Sequence, residues 1–535
     1  MRKLIFAFSL FLCVSVWAQE KYESIIPKGR STTQPTLKAI DMLKEGTAEG
    51  SAEAEQILMC VIEDQEKDPS ARNFGCWGWV KGGPTRDLNM PLFAIPNWLG
   101  PLWDLQDKMS ENMRKEFLAA CERLAAAAER RFDEEAFPSN RAEIEYSNAA
   151  CMVVEAYSFM MKRYPENPRY KRIFEAAWVR LYDNYRLNAF GEFMSTHYDD
   201  VDFMSLLNAY RNCDDKVIQT QIQEVLDETY ISEIAASHPL LKMPLVGSSR
   251  DYRECQTRGD CRSHFIIETP EDYKIPKQAV KYRDKRKYPF EFEGKAGSMP
   301  FTFKSYQLQD AGMGSMTGWG NYFWQQLHCI GSAGVSENAR ATFFIPGTYN
   351  PINGFTHQEG MTTLCVYNQY PNLWHLTGRK EHVENVKATF DRFGIGVSIG
   401  EFTEEFNKTG ELKLTAYGYD FWFFAFEVNG GYLEPCYLEY TERTQTSRRY
   451  HKRKAFFGEY MLPAEFDWAG VVVKVVKSGE KVQRPDIKFK DKNGITTFEV
   501  PSEGLKVEVG KTEMGVYVSL PKENLDLMPR RRYNQ

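Results

Sequence analysis

The sequence predicts a multidomain fold with helices first and strands second: an α/α toroid followed by an antiparallel β-sandwich. Three observations predict it. Between residues 35 and 230, apolar side chains recur at helix spacing among Ala, Leu, Glu, Arg and Met. From Phe301 to Val476 the pattern changes to short β-branched or aromatic runs bounded by Gly, Asn or Pro. Between the two, residues 275–295 are rich in Lys, Arg and Pro and read as a linker. Helices in series and then strands in series indicate two domains, 19–285 and 286–535.

The chain opens with a positive start (Arg2, Lys3), an apolar run from Leu4 to Val16, and Val16 and Ala18 before polar Gln19. That is the order of a cleavable signal peptide over residues 1–18. The apolar run is shorter than the roughly 20 residues a membrane helix needs. The chain is therefore expected outside the cytoplasm, secreted or periplasmic and bacterial in style. Helical periodicity then covers 35–68, 110–132, 140–163, 168–189 and 201–230, with Pro138-Ser139-Asn140 as a start signal for the third. Loops between these helices are aromatic and glycine-rich, as at Asn73 to Trp79. Many paired helices with decorated loops suggest the toroid, whose loops would line a cleft. Strands are expected at 301–306, 341–345, 396–399, 412–417, 421–428 and 471–476, with turns at Asn429-Gly430-Gly431 and Lys492-Asn493-Gly494 and a helix inserted at 380–392.

Composition narrows the function. A net charge of −6 gives no electrostatic case for nucleic acid or an anionic membrane. Aromatics make up 14% of the chain, and Trp or Tyr rings are platforms for sugar rings as well as core material; Trp77 and Trp79 are candidates for that use. Cys255 and Cys261 flank a turn-like segment that a disulfide could staple in an oxidising compartment, whereas Cys60, Cys121 and Cys151 sit in apolar helical patterns. No CxxC, Walker loop, GxGxxG turn, HExxH pair, GxSxG elbow or EF-hand loop is present. No metal and no cofactor is implied.

The residues that could carry chemistry cluster in a few places. His197, Tyr198, Asp199, Asp200 and Asp202 crowd a short stretch before a helix, with Glu192 just upstream. Acidic residues suit a helix start, which accounts for the aspartates but not for His197 or Tyr198. Tyr146, Ser147 and Asn148 lie in a helix otherwise built from Ala, Met and Val, where a buried amide needs a partner. Arg250, with Tyr252 beside it, could grip a carboxylate bidentately. In the second half Tyr306, His328 and His357 stand in polar strand or loop contexts, where a lone histidine is more often structural.

In order, Tyr146-x-Asn148, Glu192-Phe193-x-Ser195-x-x-Tyr198-x-x-Val201-Asp202, Gly247-x-Ser249-Arg250-x-Tyr252 and Tyr306-Gln307-x-x-Asp310 resemble the heparinase II/III-like group of polysaccharide lyases. The resemblance spans roughly residues 140–360. It implies an incomplete α/α toroid before an antiparallel β-sandwich, and action on a uronate-bearing polysaccharide or oligosaccharide without metal. It implies that Asn148 neutralises the uronate carboxylate and that Tyr198, 50 positions later, moves protons. It implies that a histidine assists, either His197 or His357 reaching in from the sandwich, and that Arg250 adds positive charge. Such lyases often follow the Asn with His, where this chain has Ala149. Two other classes stay open: a glycoside hydrolase using a pair among Glu192, Asp199, Asp200 and Asp202, and a non-catalytic glycan-binding protein.

Overall fold

The computed structural model describes residues 25–71, 73–78, 80–83, 99–130, 147–190, 194–248, 260–296, 301–317, 328–337, 339–345, 353–368, 392–399, 403–406, 411–435, 438–445, 453–461, 467–511, 517–519 and 531–533. The signal segment, the Pro138 start signal, Cys255 and residues 380–391 of the expected inserted helix lie outside them, and Arg392 begins a strand. Helices followed by antiparallel sheets are found, as the sequence predicts.

Among the described residues eight helices lead: α1 (Thr33–Glu45), α2 (Ala48–Glu63), α3 (Gly100–Asp104), α4 (Glu111–Arg130), α5 (Ser147–Arg163), α6 (Pro168–Asn188), α7 (Thr196–Asn212) and α8 (Lys216–Ala236). Two breaks fall inside stretches that read as continuous. Gly46 caps α1 in the left-handed region at φ 71°, and the Thr47 hydroxyl then accepts the Gly50 N–H to start α2. Asp215 Oδ1 likewise accepts the Val217 and Ile218 N–H groups, so a new helix begins after Cys213. The expected linker is a second correction. It holds α10 (Lys277–Asp284), which follows the short α9 (His264–Ile267), and the first strand of a sheet (Phe290–Ala296). Its Arg286 is half-buried, with its guanidinium engaged by the fold rather than left to solvent. The guanidinium donates to the carbonyls of Ser237, Ile234 and Tyr282 and to Gln307 Oε1, and stacks 4.5 Å over Phe290.

Among the described residues three large antiparallel sheets follow, besides the short pair Ser237–His238 and Met243–Pro244, where a β-sandwich was expected. The first has nine strands, with His328–Ser336 at its centre. The second has seven, with Tyr419–Asn429 and Trp468–Lys477 in the middle. The third is a four-stranded meander from Lys488 to Ser519. Its first hairpin turns at Asn493 and Gly494, both at positive φ, as a two-residue turn requires.

The strand Tyr419–Asn429 explains the layering. Phe421, Phe423 and Ala425 pack with Met313, Ala333 and Ala339 of the first sheet. The alternate residues Phe424, Phe426 and Val428 pack with Phe498, Val507 and Val509 of the third. A strand covered on both faces reads as a continuous apolar run, and this one does.

By contacts the chain falls into two compact units. One comprises residues up to Tyr182 together with Ser205–Ile222. The other comprises Asp183–Met204 and everything from Gln223 onward. The division does not follow the expected boundary at 285/286, because the segment after α8 is bound to the first sheet. Gln307 Nε2 donates to the carbonyls of Ala235 and Ala236, Arg340 Nη1 to Leu241, and Ser332 Oγ to Pro244. His238, buried and pulled down to a pKa of about 4 by desolvation, bonds through Nε2 to the Leu308 carbonyl. At Gly314 the backbones approach so closely that a Cβ would lie 1.8 Å from the Leu245 oxygen; only glycine fits.

Candidate active site

Two helix starts carry the residues that matter most. Asn148 is the second residue of α5 and 3% exposed. Its Oδ1 accepts the Ala149 N–H at 2.8 Å, which turns the amide's NH2 the other way as the donor end. Residues Ser147 to Met160 of this helix are buried without a break.

Glu155, two turns further along α5, is 2% exposed. Desolvation pushes its carboxyl up to about 7, against bonds from Asn208 and Ser205 and the charge of Arg211. Further on, Asn212 Nδ2 donates to Ser158 Oγ, and Lys162 Nζ to the Arg211 carbonyl. These contacts pack the C-terminal part of α5 along the second half of α7 in the same direction, at offsets of 53, 54 and 49 positions.

In the other unit, the approach to α7 is built from unusual backbone. Ala189 and Met194 both sit at positive φ, 55° and 51°, a conformation that costs a residue with a Cβ about 1–2 kcal/mol. Phe190 and Met194 are buried, which holds the segment there. The Ser195 carbonyl accepts the Asp199 N–H at 2.7 Å to open the helix. Tyr198 is then 8% exposed and His197 is exposed, their rings edge to face with centroids 5.0 Å apart. Asp199 lies in the first turn, where a carboxylate complements the helix dipole. Asp200 is committed elsewhere: its Oδ1 accepts the Phe265 N–H at 3.0 Å, capping α9, and burial raises its pKa. Phe203 stacks on Phe265 at 4.1 Å behind it.

The structure corrects three expectations. Trp77 is no sugar platform. It is 0% exposed and its Nε1 donates to the Val61 carbonyl, a core anchor for the loop after α2. His357 does not reach toward the helices. The period of two along Asn353–Glu359 puts it on the same face as Phe355, toward the third sheet, where its Nδ1 accepts the Lys506 N–H at 2.8 Å and Nε2 lies 3.2 Å from Glu359. Tyr306 also faces away from the helices. Ser305 and Gln307 take the helix side, while Tyr306 pairs in register with Met313 and its ring reaches the turn at Gly360. Asp310, last of that motif, accepts from Tyr419 and Lys477.

Tyr146, Trp79, Glu192, Arg250 and Tyr252 lie outside the described residues, and His328 begins the strand His328–Ser336. Cys60, Cys121, Cys151 and Cys261 are buried. Among the described residues no group of three or more His, Cys, Asp or Glu side chains could hold a metal ion, and no helix is long and apolar enough to cross a membrane. Sequence reasoning missed Glu155; a single acid within Val153-Val154-Glu155-Ala156 was its signal.

Solved structures similar to this chain include a crystal structure of heparinase III, 10% identical, covering 92% of this chain and 84% of that one at a TM-score of 0.47. A mutant heparan sulfate lyase from Pedobacter heparinus is 12% identical, with coverages of 91% and 82% and a TM-score of 0.38. A heparinase III with methylated lysines is 10% identical, with coverages of 88% and 82% and a TM-score of 0.34. At these identities and scores the likeness says nothing of this chain's substrate, reaction or catalytic residues. No protein-family model matches the chain, and no curated protein matches it.

Proposed function

We propose that the protein is an exported polysaccharide lyase that cleaves a uronate-containing glycan by β-elimination. The observation that carries the reading is the Asn148 amide, 3% exposed at the start of α5 with its Oδ1 turned onto the Ala149 N–H. The ordered motifs of the sequence and the buried, oriented amide of Asn148 support it.

The roles follow from chemistry. The proton on C5 of a uronate becomes acidic only when the neighbouring carboxylate is neutralised, and the Asn148 NH2 supplies an oriented donor there. Tyr198 takes that proton and returns one to the leaving oxygen. A phenol is a weak base at neutral pH, and a protonated His197 beside it favours the phenolate. With His357 turned to the third sheet, His197 is the assisting histidine of this proposal. Arg250, Tyr252, Tyr146, Glu192 and Trp79 are assigned substrate contacts on the resemblance alone. The commitment of Asp200 to a helix cap removes one member from the carboxylate pairs a hydrolase would need.

The test is incubation of the purified mature protein with a panel of uronate polysaccharides, following the ultraviolet absorbance of the unsaturated product. A rise that Tyr198→Phe abolishes is the expected result. Reducing ends without that absorbance would point to hydrolysis, and binding without either product to a glycan-binding protein; each would overturn the lyase reading. Export is tested by the mass of the mature chain, expected to begin at Gln19.

A further inference from the structure

The helical unit holds a cavity of about 510 Å³ that the proposed reaction does not use. Small-molecule sites commonly measure about 300–1,000 Å³. Its walls are Lys44 at the end of α1, Glu155, Phe159 and Arg163 of α5, and Asn208 and Asn212 of α7. Counted along α5 at about 1.5 Å per residue, Glu155 and Arg163 lie roughly 10 and 22 Å beyond Asn148. The cavity is therefore toward the opposite end of the helix from the reacting residues.

Charge and unfinished bonding describe the occupant. Lys44, Arg163 and Arg211 stand against Asp104 and Glu155 of the lining and against Asp41, 3.4 Å from Lys44, and burial leaves Glu155 partly protonated near neutral pH. The wall is net positive and favours an anion. The Arg163 guanidinium lies 3.7 Å over the Phe159 ring, and its Nε and Nη1 are buried without acceptors. Glu155 Oε1 accepts from Asn208, and Ser205 also stands by the carboxyl, but Oε2 is buried with no partner in hydrogen-bond geometry. Buried polar groups in native folds are almost always bonded. Oε2 needs a donor and Arg163 needs an acceptor, so a simple inorganic anion satisfies only half of the site and a neutral sugar lacks the charge.

We propose that this cavity binds a small hydroxylated carboxylate, the size of one sugar acid. Its carboxylate faces Lys44 and Arg163, and its hydroxyls bond Glu155 and Asn212. The site is independent of the elimination chemistry.

Calorimetric titration of the full mature chain with D-glucuronate tests this. One saturable site is expected, with sulfate and glucose weaker by about tenfold or more. Lys44→Glu, a substitution at an exposed position, and Asn212→Asp should each weaken glucuronate by about tenfold, while Asn148→Ala and Tyr198→Phe leave its affinity unchanged. Absence of saturable heat, sulfate as tight as glucuronate, indifference to both cavity variants, or loss in Asn148→Ala would overturn the proposal. Failure of the lyase assay would not touch it.

Discussion

The helical motifs and the sheet motif of the same resemblance meet different fates. In the helices, Asn148 and Tyr198 stand buried in first turns. In the sheets, Gln307 bonds the carbonyls after α8, Asp310 accepts from Tyr419 and Lys477, and the separate candidate His357 accepts from Lys506. The difference teaches that polar residues in similar sequence contexts separate by what the backbone leaves for them. A helix start offers donors and an open end, whereas a strand between two sheets offers a neighbour on each side.

The sharpest way to break this comparison is activity. Tyr198→Phe should lower the elimination rate about a thousandfold, within the usual range for a general acid–base residue, whereas His357→Ala should change it by no more than about twofold. Equal losses would mean that the sheets contribute to the reaction after all. Trp77→Ala comes next. As a core anchor it should cost about 3–5 kcal/mol in urea unfolding; a rise in KM with stability unchanged would restore it as a sugar platform.

Buried titratable groups sharpen the comparison through pH. Glu155 is held near 7 in the fold against 4.5. Between those values the unfolded chain releases a proton that the folded one keeps, so its unit loses stability as pH rises, by about 3 kcal/mol in all. Glu155→Gln should flatten that slope. His238 works with the opposite sign. Its folded value of about 4 against 6.5 means that its contribution is present above pH 6.5 and is lost as pH falls toward 4. Thermal melts of the wild type and of Glu155→Gln across this range check both slopes. The smallest effect expected is at the seam. Gly314→Ala forces the Leu245 backbone aside and should cost about 1–3 kcal/mol, with no change in a rate set by the helix starts.

Much of the fold was legible because periodicity reports burial directly. The run Phe421 to Val428 announced a strand, and its lack of alternation was the sign of cover on both faces. The third sheet was not anticipated, since a hairpin at Asn493-Gly494 does not say what its apolar face meets. Residues 275–295 misled because charge was read as exposure, whereas Arg286 buries its charge by finding four acceptors. The break at Gly46 was written in the sequence, but flanking helical periodicity masked it. For the site, Asn148 and Tyr198 were visible as polar residues in apolar or capping surroundings. The direction of His357 was not, because the parity of a strand fixes which face a residue takes only once one neighbour's face is known.

The strand Tyr419–Asn429 serves two cores at once. Opening it exposes both, so neither the first nor the third sheet can release its side of the second alone. Its amide hydrogens should be among the slowest in the chain to exchange with deuterated water, and a cleavage in the loops around it should leave the pieces associated. Evolution can therefore vary the outer meander and the helix-side seam separately, but must keep this one strand apolar from Phe421 to Phe426.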